Sequence, residues 1–196
     1  MKRDLSLKKY LWDYVVLDIE TTGFDAKKDD IIELSAIKVV NGEVEEEFSK
    51  LIKPYGFLSN RIIELTGITR EMVADASRLE TTILEFNEFC KGFVVVGHNI
   101  TFDLNFINTK LYECHKITFD NDYIDTLKLA KKHLPQLPSK KLGLIAEHFQ
   151  LDTSGMHRGL KDCSVTNVCY QKFCEMANVP KPAPLPKFKT LSLFDM

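Results

Sequence analysis

The chain has 196 residues, enough for one globular domain with a substantial core and too few for a comfortable second one. Lysine and arginine number 26 against 28 aspartates and glutamates, and a formal net charge of −2 excludes a global basic field; any contact with a polyanion must be local. Five cysteines (Cys90, Cys114, Cys163, Cys169 and Cys174), odd in number and without a CxxC pair, argue against a zinc site and a disulfide framework and fit a reducing compartment.

The opening residues MKRDLSLKKYLWDYVVLDIE are basic but hold no long apolar run or small-residue cleavage site. Nowhere do roughly 18 apolar residues follow one another. A cytoplasmic protein without a membrane partner is expected. Residues 1–12 read as an N-terminal extension. YVVLDI (14–19) predicts a strand, and IIELSAIKVV (31–40) and EVEEEFSKLI (43–52) flank Asn41-Gly42, a dipeptide that favours a tight hairpin. Three leading strands with antiparallel pairing follow from this. After Pro54 the pattern turns helical: Ser59 caps a short helix in SNRIIELTGI, and LETTILEFNEFCKG (79–92) has apolar residues at helical spacing, ending at Gly92. FVVVG (93–97) is a continuous apolar run of the kind buried in a parallel sheet. HNITFDLNFINTKLYECH (98–115) predicts a helix, with a short strand near 122–124 and helices near 126–134, 140–149 and 160–177. The alternation after residue 80 predicts α/β layering. Pro180, Pro182, Pro184 and Pro186 then alternate through residues 179–189, a spacing that neither a helix nor a central strand tolerates, so an extended linker is expected before the apolar peptide at 190–196.

Three separated acidic clusters carry the chemistry. Asp18 and Glu20 end the first strand, where residues i and i+2 share a face, and Thr21, Thr22 and Gly23 open a turn that lets backbone approach a ligand. Asp103, in HNITFD, follows the buried strand at its carboxyl end, where open α/β sheets place ligands. His157 precedes Asp162 by five residues in HRGLKD, a loop histidine beside a helix-borne carboxylate. Each cluster alone has a bland explanation: a polar strand end, an aspartate favoured by a helix dipole, a solvated histidine. Brought into one site, four carboxylates would repel one another unless hard cations neutralised them. Two such ions can stabilise the attacking and leaving oxygens of a phosphoryl displacement.

DIETTG, HNITFD and HRGLKD, in this order, resemble the three exonuclease motifs of the DnaQ-like DEDD superfamily, in its histidine variant. The resemblance includes ELTGIT (64–69) and YIDT (123–126), spans roughly residues 13–175, and is strongest to proofreading exonucleases of bacterial replicative polymerases. It implies a ribonuclease H-like mixed sheet, three leading strands and then parallel ones, flanked by helices, in an exonuclease domain at 13–178. It implies a 3′-5′ exonuclease with two divalent cations, Mg²⁺ or Mn²⁺, on Asp18, Glu20, Asp103 and Asp162. His157 is then the general base, a task that suits an imidazole's ordinary pKa of about 6.5. Thr21, Thr22, Gly23, Leu65, Thr66, Asn99 and Phe102 are expected to hold the terminal nucleotide of a single-stranded DNA 3′ end. Gly159 stands where alanine is common, and Thr66 replaces a histidine found in some proofreading subunits.

The last residues supply a second clue. Leu191, Ser192, Leu193 and Phe194 resemble the core of the peptide by which bacterial polymerases and repair proteins bind the sliding clamp, with Thr190 where a glutamine is usual. A proline-rich spacer holding such a peptide clear of the domain would raise the enzyme's concentration at DNA. With 196 residues leaving no room for a polymerase domain, any polymerase is expected to be a separate protein. RNA trimming and non-catalytic binding of DNA ends or the clamp stay open as alternatives.

Overall fold

The computed structural model describes residues 3–183. Asn41 and Gly42 both take left-handed backbone, with φ of 53° and 77°, and join β2 (Ile31–Val40) to β3 (Glu43–Leu51) through the expected two-residue turn, Val40 pairing with Glu43. β1 (Tyr14–Thr21) lies antiparallel along the other side of β2, setting Asp18 opposite Ser35 and Glu20 opposite Glu33. β4 (Val95–Gly97) and β5 (Tyr123–Asp125) then add in parallel, completing a mixed sheet of order β3-β2-β1-β4-β5 among the described residues. The expected fold class, a mixed sheet with helices on it, is the one observed.

Strand periodicity decides which helices see which residues. Val15, Leu17, Ile19, Leu34 and Ala36 pack against α3 (Leu79–Cys90) and α4 (Thr101–His115), while Tyr14, Val16, Ile37 and Val39 face α5 (Thr126–His133), α6 (Leu142–His148) and α7 (Gly159–Met176). Asp18 and Glu20 continue the even-numbered row and so emerge on the α7 side. β3 lies at one edge of the sheet, and its glutamates are solvated. A smaller cluster of Ile32, Leu58, Ile62, Ile68 and Val73 fixes α1 (Asn60–Thr66) and α2 (Arg70–Ala74) at one end of β2.

Three features differ from the sequence reading. α2, one turn capped by the Thr69 hydroxyl, is too short to leave a periodic pattern. α4 begins at Thr101 rather than His98, because Asn99 takes a left-handed φ of 58° that no helix accommodates. The N-terminal stretch continues the sheet: the Leu5 N–H donates to the Tyr123 carbonyl and the Tyr123 N–H to the Arg3 carbonyl, and Leu5 and Trp12 are buried. No helix among the described residues is long and apolar enough to cross a membrane.

A side chain at Gly42 would carry its Cβ to 2.9 Å from the Trp12 ring as well as forcing a left-handed alanine. Gly42→Ala is therefore expected to lower the unfolding free energy by about 1–2 kcal/mol, read from the urea midpoint at unchanged slope.

Candidate active site

The end of β1 is shaped by its turn. The register slips between Glu20 and Thr21, the Thr21 hydroxyl donates to the Gly23 carbonyl at 2.6 Å, and the Thr22 hydroxyl accepts the Asp30 N–H at 2.9 Å. Gly23 leaves room for Asp29: an added Cβ would lie 2.4 Å from its carboxylate. Both threonine hydroxyls are thus engaged in the turn, and their backbone lies beside Asp18 and Glu20.

Asp18, Glu20 and Asp162 converge, each offering an oxygen within 4.8 Å of the others. Asp162 sits in the first turn of α7; its Oδ2 accepts the His157 N–H at 3.0 Å, while its Oδ1 is buried without a partner. Asp103, in the first turn of α4 and 6% exposed, stands beside this trio, its Oδ1 accepting the Ile19 N–H at 3.2 Å. His157 is exposed, on left-handed backbone (φ 67°) just ahead of α7. A cavity of about 900 Å³ opens from this point, lined by Asp18, Asn99, His157 and Asp162 and by Lys131, Lys140 and Lys141.

Around the cavity, the Asn99 N–H donates to Asp125 Oδ1 at 2.9 Å, and His98 Nδ1 lies 3.0 Å from the Thr126 hydroxyl. Burial holds the His98 imidazole below its ordinary pKa. Leu65 is half exposed at the end of α1, and Phe102 packs against Phe106 and the exposed Phe24. Thr66 is buried, its hydroxyl donating to the Ile62 carbonyl and accepting the Ile68 N–H, so its side chain is engaged in closing α1.

Glu33 was not singled out by sequence reasoning, yet it lies 2% exposed opposite Glu20. The available signal was a charge inside the buried run IIELSAI, since a buried charge requires partners.

The site is electrostatically unsettled. Burial pushes the Glu20 carboxyl up to about 8, with Asp162 and Glu33 adding to the effect. Burial, then Asp103, Glu20 and Asp162, raises Asp18 well above the carboxylate range. Burial also raises Asp103 and Asp162, against backbone N–H groups that favour their charged forms. A site of oxygen donors with an orphaned buried carboxylate oxygen fits a hard divalent cation, which would remove the repulsion and occupy the free lone pairs.

Comparison with known proteins agrees with this chemistry. The RNase_T family, described as exonuclease, matches residues 15–168. The DNA polymerase III subunit epsilon of Aquifex aeolicus is 41% identical over 177 residues, which cover 88% of this chain and 87% of that protein. The PolC-type DNA polymerase III of Thermotoga maritima is 38% identical over 163 residues, 83% of this chain but 12% of that much longer protein. Two solved structures share the fold: Exonuclease X in complex with 5′ overhanging duplex DNA, and E. coli Exonuclease I in complex with a dT13 oligonucleotide. The first has TM-score 0.70 and 22% identity, covering 86% of this chain and 95% of that one. The second has TM-score 0.74 and 17% identity, covering 86% of this chain and 42% of that one.

Because the Glu20 pKa is higher folded than its ordinary 4.5, its protonated form favours folding: that contribution is fully present below about pH 4.5 and is lost as pH rises to about 8. The metal-free protein should therefore melt lower at pH 8 than at pH 5.5. Mn²⁺ at a hundredfold excess over its Kd should raise the pH 8 melting temperature by roughly 5–10 °C, and by less at pH 5.5. Asp18→Asn should stabilise the metal-free protein and abolish the Mn²⁺ response; calorimetric scans at both pH values check all three outcomes.

Proposed function

This chain belongs to the RNase_T exonuclease family, and we propose that it is a cytoplasmic 3′-5′ exodeoxyribonuclease removing nucleoside 5′-monophosphates from single-stranded or frayed 3′ ends in proofreading or repair. The observation that carries this reading is the convergence of Asp18, Glu20 and Asp162 within 4.8 Å, with His157 on the loop that leads into Asp162. DNA is favoured over RNA by the DNA polymerase subunit that matches along nearly its whole length.

In this reading Asp18, Glu20, Asp103 and Asp162 hold two divalent cations, Mg²⁺ or Mn²⁺. Bound there, the ions supply charge stabilisation to the attacking and leaving oxygens of an in-line displacement at phosphorus. His157, exposed at the mouth of the cavity and tied through its backbone to Asp162, accepts the proton of the attacking water. The Thr21-Thr22-Gly23 backbone, Leu65, Asn99 and Phe102 hold the terminal nucleotide, the exposed Leu65 and the Phe102 ring offering apolar surface to its base. Lys131, Lys140 and Lys141 on the cavity wall attract the backbone phosphates of the strand.

The partners proposed are a separate DNA polymerase and the bacterial sliding clamp. Residues 190–196, with Leu191, Ser192, Leu193 and Phe194, lie outside the described residues; the clamp reading is supported by the alternate prolines and the LSLF sequence alone.

Matched 5′-labelled DNA and RNA single strands, incubated with Mg²⁺ or with EDTA, test the function. DNA should shorten from its 3′ end only with metal and only with Asp18 intact. Faster trimming of RNA would favour an exoribonuclease, and no shortening of either would leave a binding module. His157→Ala should lower kcat by about 10²–10⁴ while the Mn²⁺ affinity changes little. Deleting residues 190–196 should abolish clamp binding in surface-plasmon measurements and leave hydrolysis of naked DNA unchanged.

A further inference from the structure

Glu33 shares the acidic cluster's space, but its oxygens are taken by donors at the start of α7 and on β3. Oε2 accepts the Gly159 N–H at 3.1 Å, and Oε1 lies 3.3 Å from Arg158 Nη2 and 3.4 Å from the Ser49 hydroxyl. Arg158 is the N-cap of α7 and makes no side-chain cap; a guanidinium has no acceptor with which to make one. Glu33 therefore caps α7 from the neighbouring strand, placing a carboxylate at the positive end of an 18-residue helix. The cap is held close: a Cβ on Gly159 would lie 2.4 Å from Ser35 Oγ and 2.6 Å from Ser35 Cβ. Immediately before it, His157 sits on left-handed backbone with its N–H on Asp162. Residues 157–159 are thus suspended between two carboxylates, Asp162 from within α7 and Glu33 from β2.

We propose that Glu33 is a positioning residue for the His157 imidazole. By binding Arg158 and the Gly159 N–H, it fixes the start of α7 against β2 and holds the loop that presents His157 toward the cleft shared with Asp18 and Glu20. This rests on the reading of His157 as the proton acceptor. A purely structural cap would instead alter stability and leave the His157-dependent step alone.

The test is a double-mutant cycle on the full chain: kcat and KM with Mn²⁺ and 5′-labelled single-stranded DNA for wild type, Glu33→Gln, His157→Ala and the double variant. Glu33→Gln keeps the shape and loses the charge that holds Arg158. It should lower kcat about ten- to hundredfold with KM changed less than about threefold, and cost almost nothing further once His157 is alanine. Its Mn²⁺ affinity by calorimetry should stay within about threefold of wild type, because the cation-holding carboxylates are untouched. An equal kcat loss in both backgrounds, an unchanged kcat, or a parallel collapse of Mn²⁺ affinity would overturn the proposal. A His157→Ala variant with wild-type turnover would sink the proton-acceptor reading itself, an outcome separable from the others. A second pair guards against misfolding of the Glu33 variant. Gly159→Ala alone should displace the cap and lower kcat, and adding Ser35→Gly should restore it to within about threefold by reopening the space; failure of Ser35→Gly to rescue also overturns the proposal.

Discussion

Like charges buried together at the end of β1 are the constraint on which the rest of this structure turns. The two-residue period of a strand sends Asp18 and Glu20 to the α7 side of the sheet, and the first turn of α7 brings Asp162 to meet them. α4 contributes Asp103 from its own first turn. Two helix N-termini therefore point their partial positive charge at the same acids, a compensation of about half an elementary charge each. That is far short of offsetting the burial of so many carboxylates, which, with the neighbouring acids adding to it, raises their pKa values. The metal-free fold carries this as stored instability, tolerable because the two apolar clusters on either side of the sheet are extensive.

The two loops that deliver the helix-borne acids use one device. Asn99, shortly before α4, and His157, shortly before α7, are non-glycine residues in left-handed backbone, a conformation costing about 1–2 kcal/mol. Each is held there by a carboxylate that accepts its N–H, Asp125 for Asn99 and Asp162 for His157. Strain at such positions persists only where the surroundings over-determine it. Here the surroundings are acidic side chains in or beside the site, so the backbone of HNITFD and of HRGLKD is fixed by the same kind of group that makes up the cluster.

Much of this was legible in the chain. The Asn41-Gly42 hairpin, the buried strand at β4 and the helical stretches follow from local periodicity and turn chemistry, which act over a few residues and leave a pattern. The acids of the cluster were legible through motif spacing. What escaped depends on contacts between distant segments. Glu33 looks like a stray charge in a β2 pattern until α7 arrives to be capped, and the inward turn of Thr66 is set by its helix end. The pairing of Arg3 and Leu5 with Tyr123 joins residues more than a hundred positions apart, and no periodicity announces it. The start of α4 is hidden for a local reason: an asparagine in left-handed backbone can break an otherwise continuous helical pattern.

The charge of the site also orders the events of binding. A net charge of −2 gives the domain no long-range pull on DNA, and a cluster of carboxylates repels the phosphate it is built to cleave. The lysines along the cavity lie on α5 and the segment leading into α6, so one cavity carries both the acids and the positive charge that offsets their repulsion. Cations held by the acidic cluster would cancel the charge that otherwise repels phosphate, so cation and nucleic acid must each strengthen the binding of the other by the same factor, as linkage requires. A domain arranged in this way is selective through its centre rather than its surface: it gains little from neutral-pH electrostatics alone and depends on the local supply of both cations and 3′ ends.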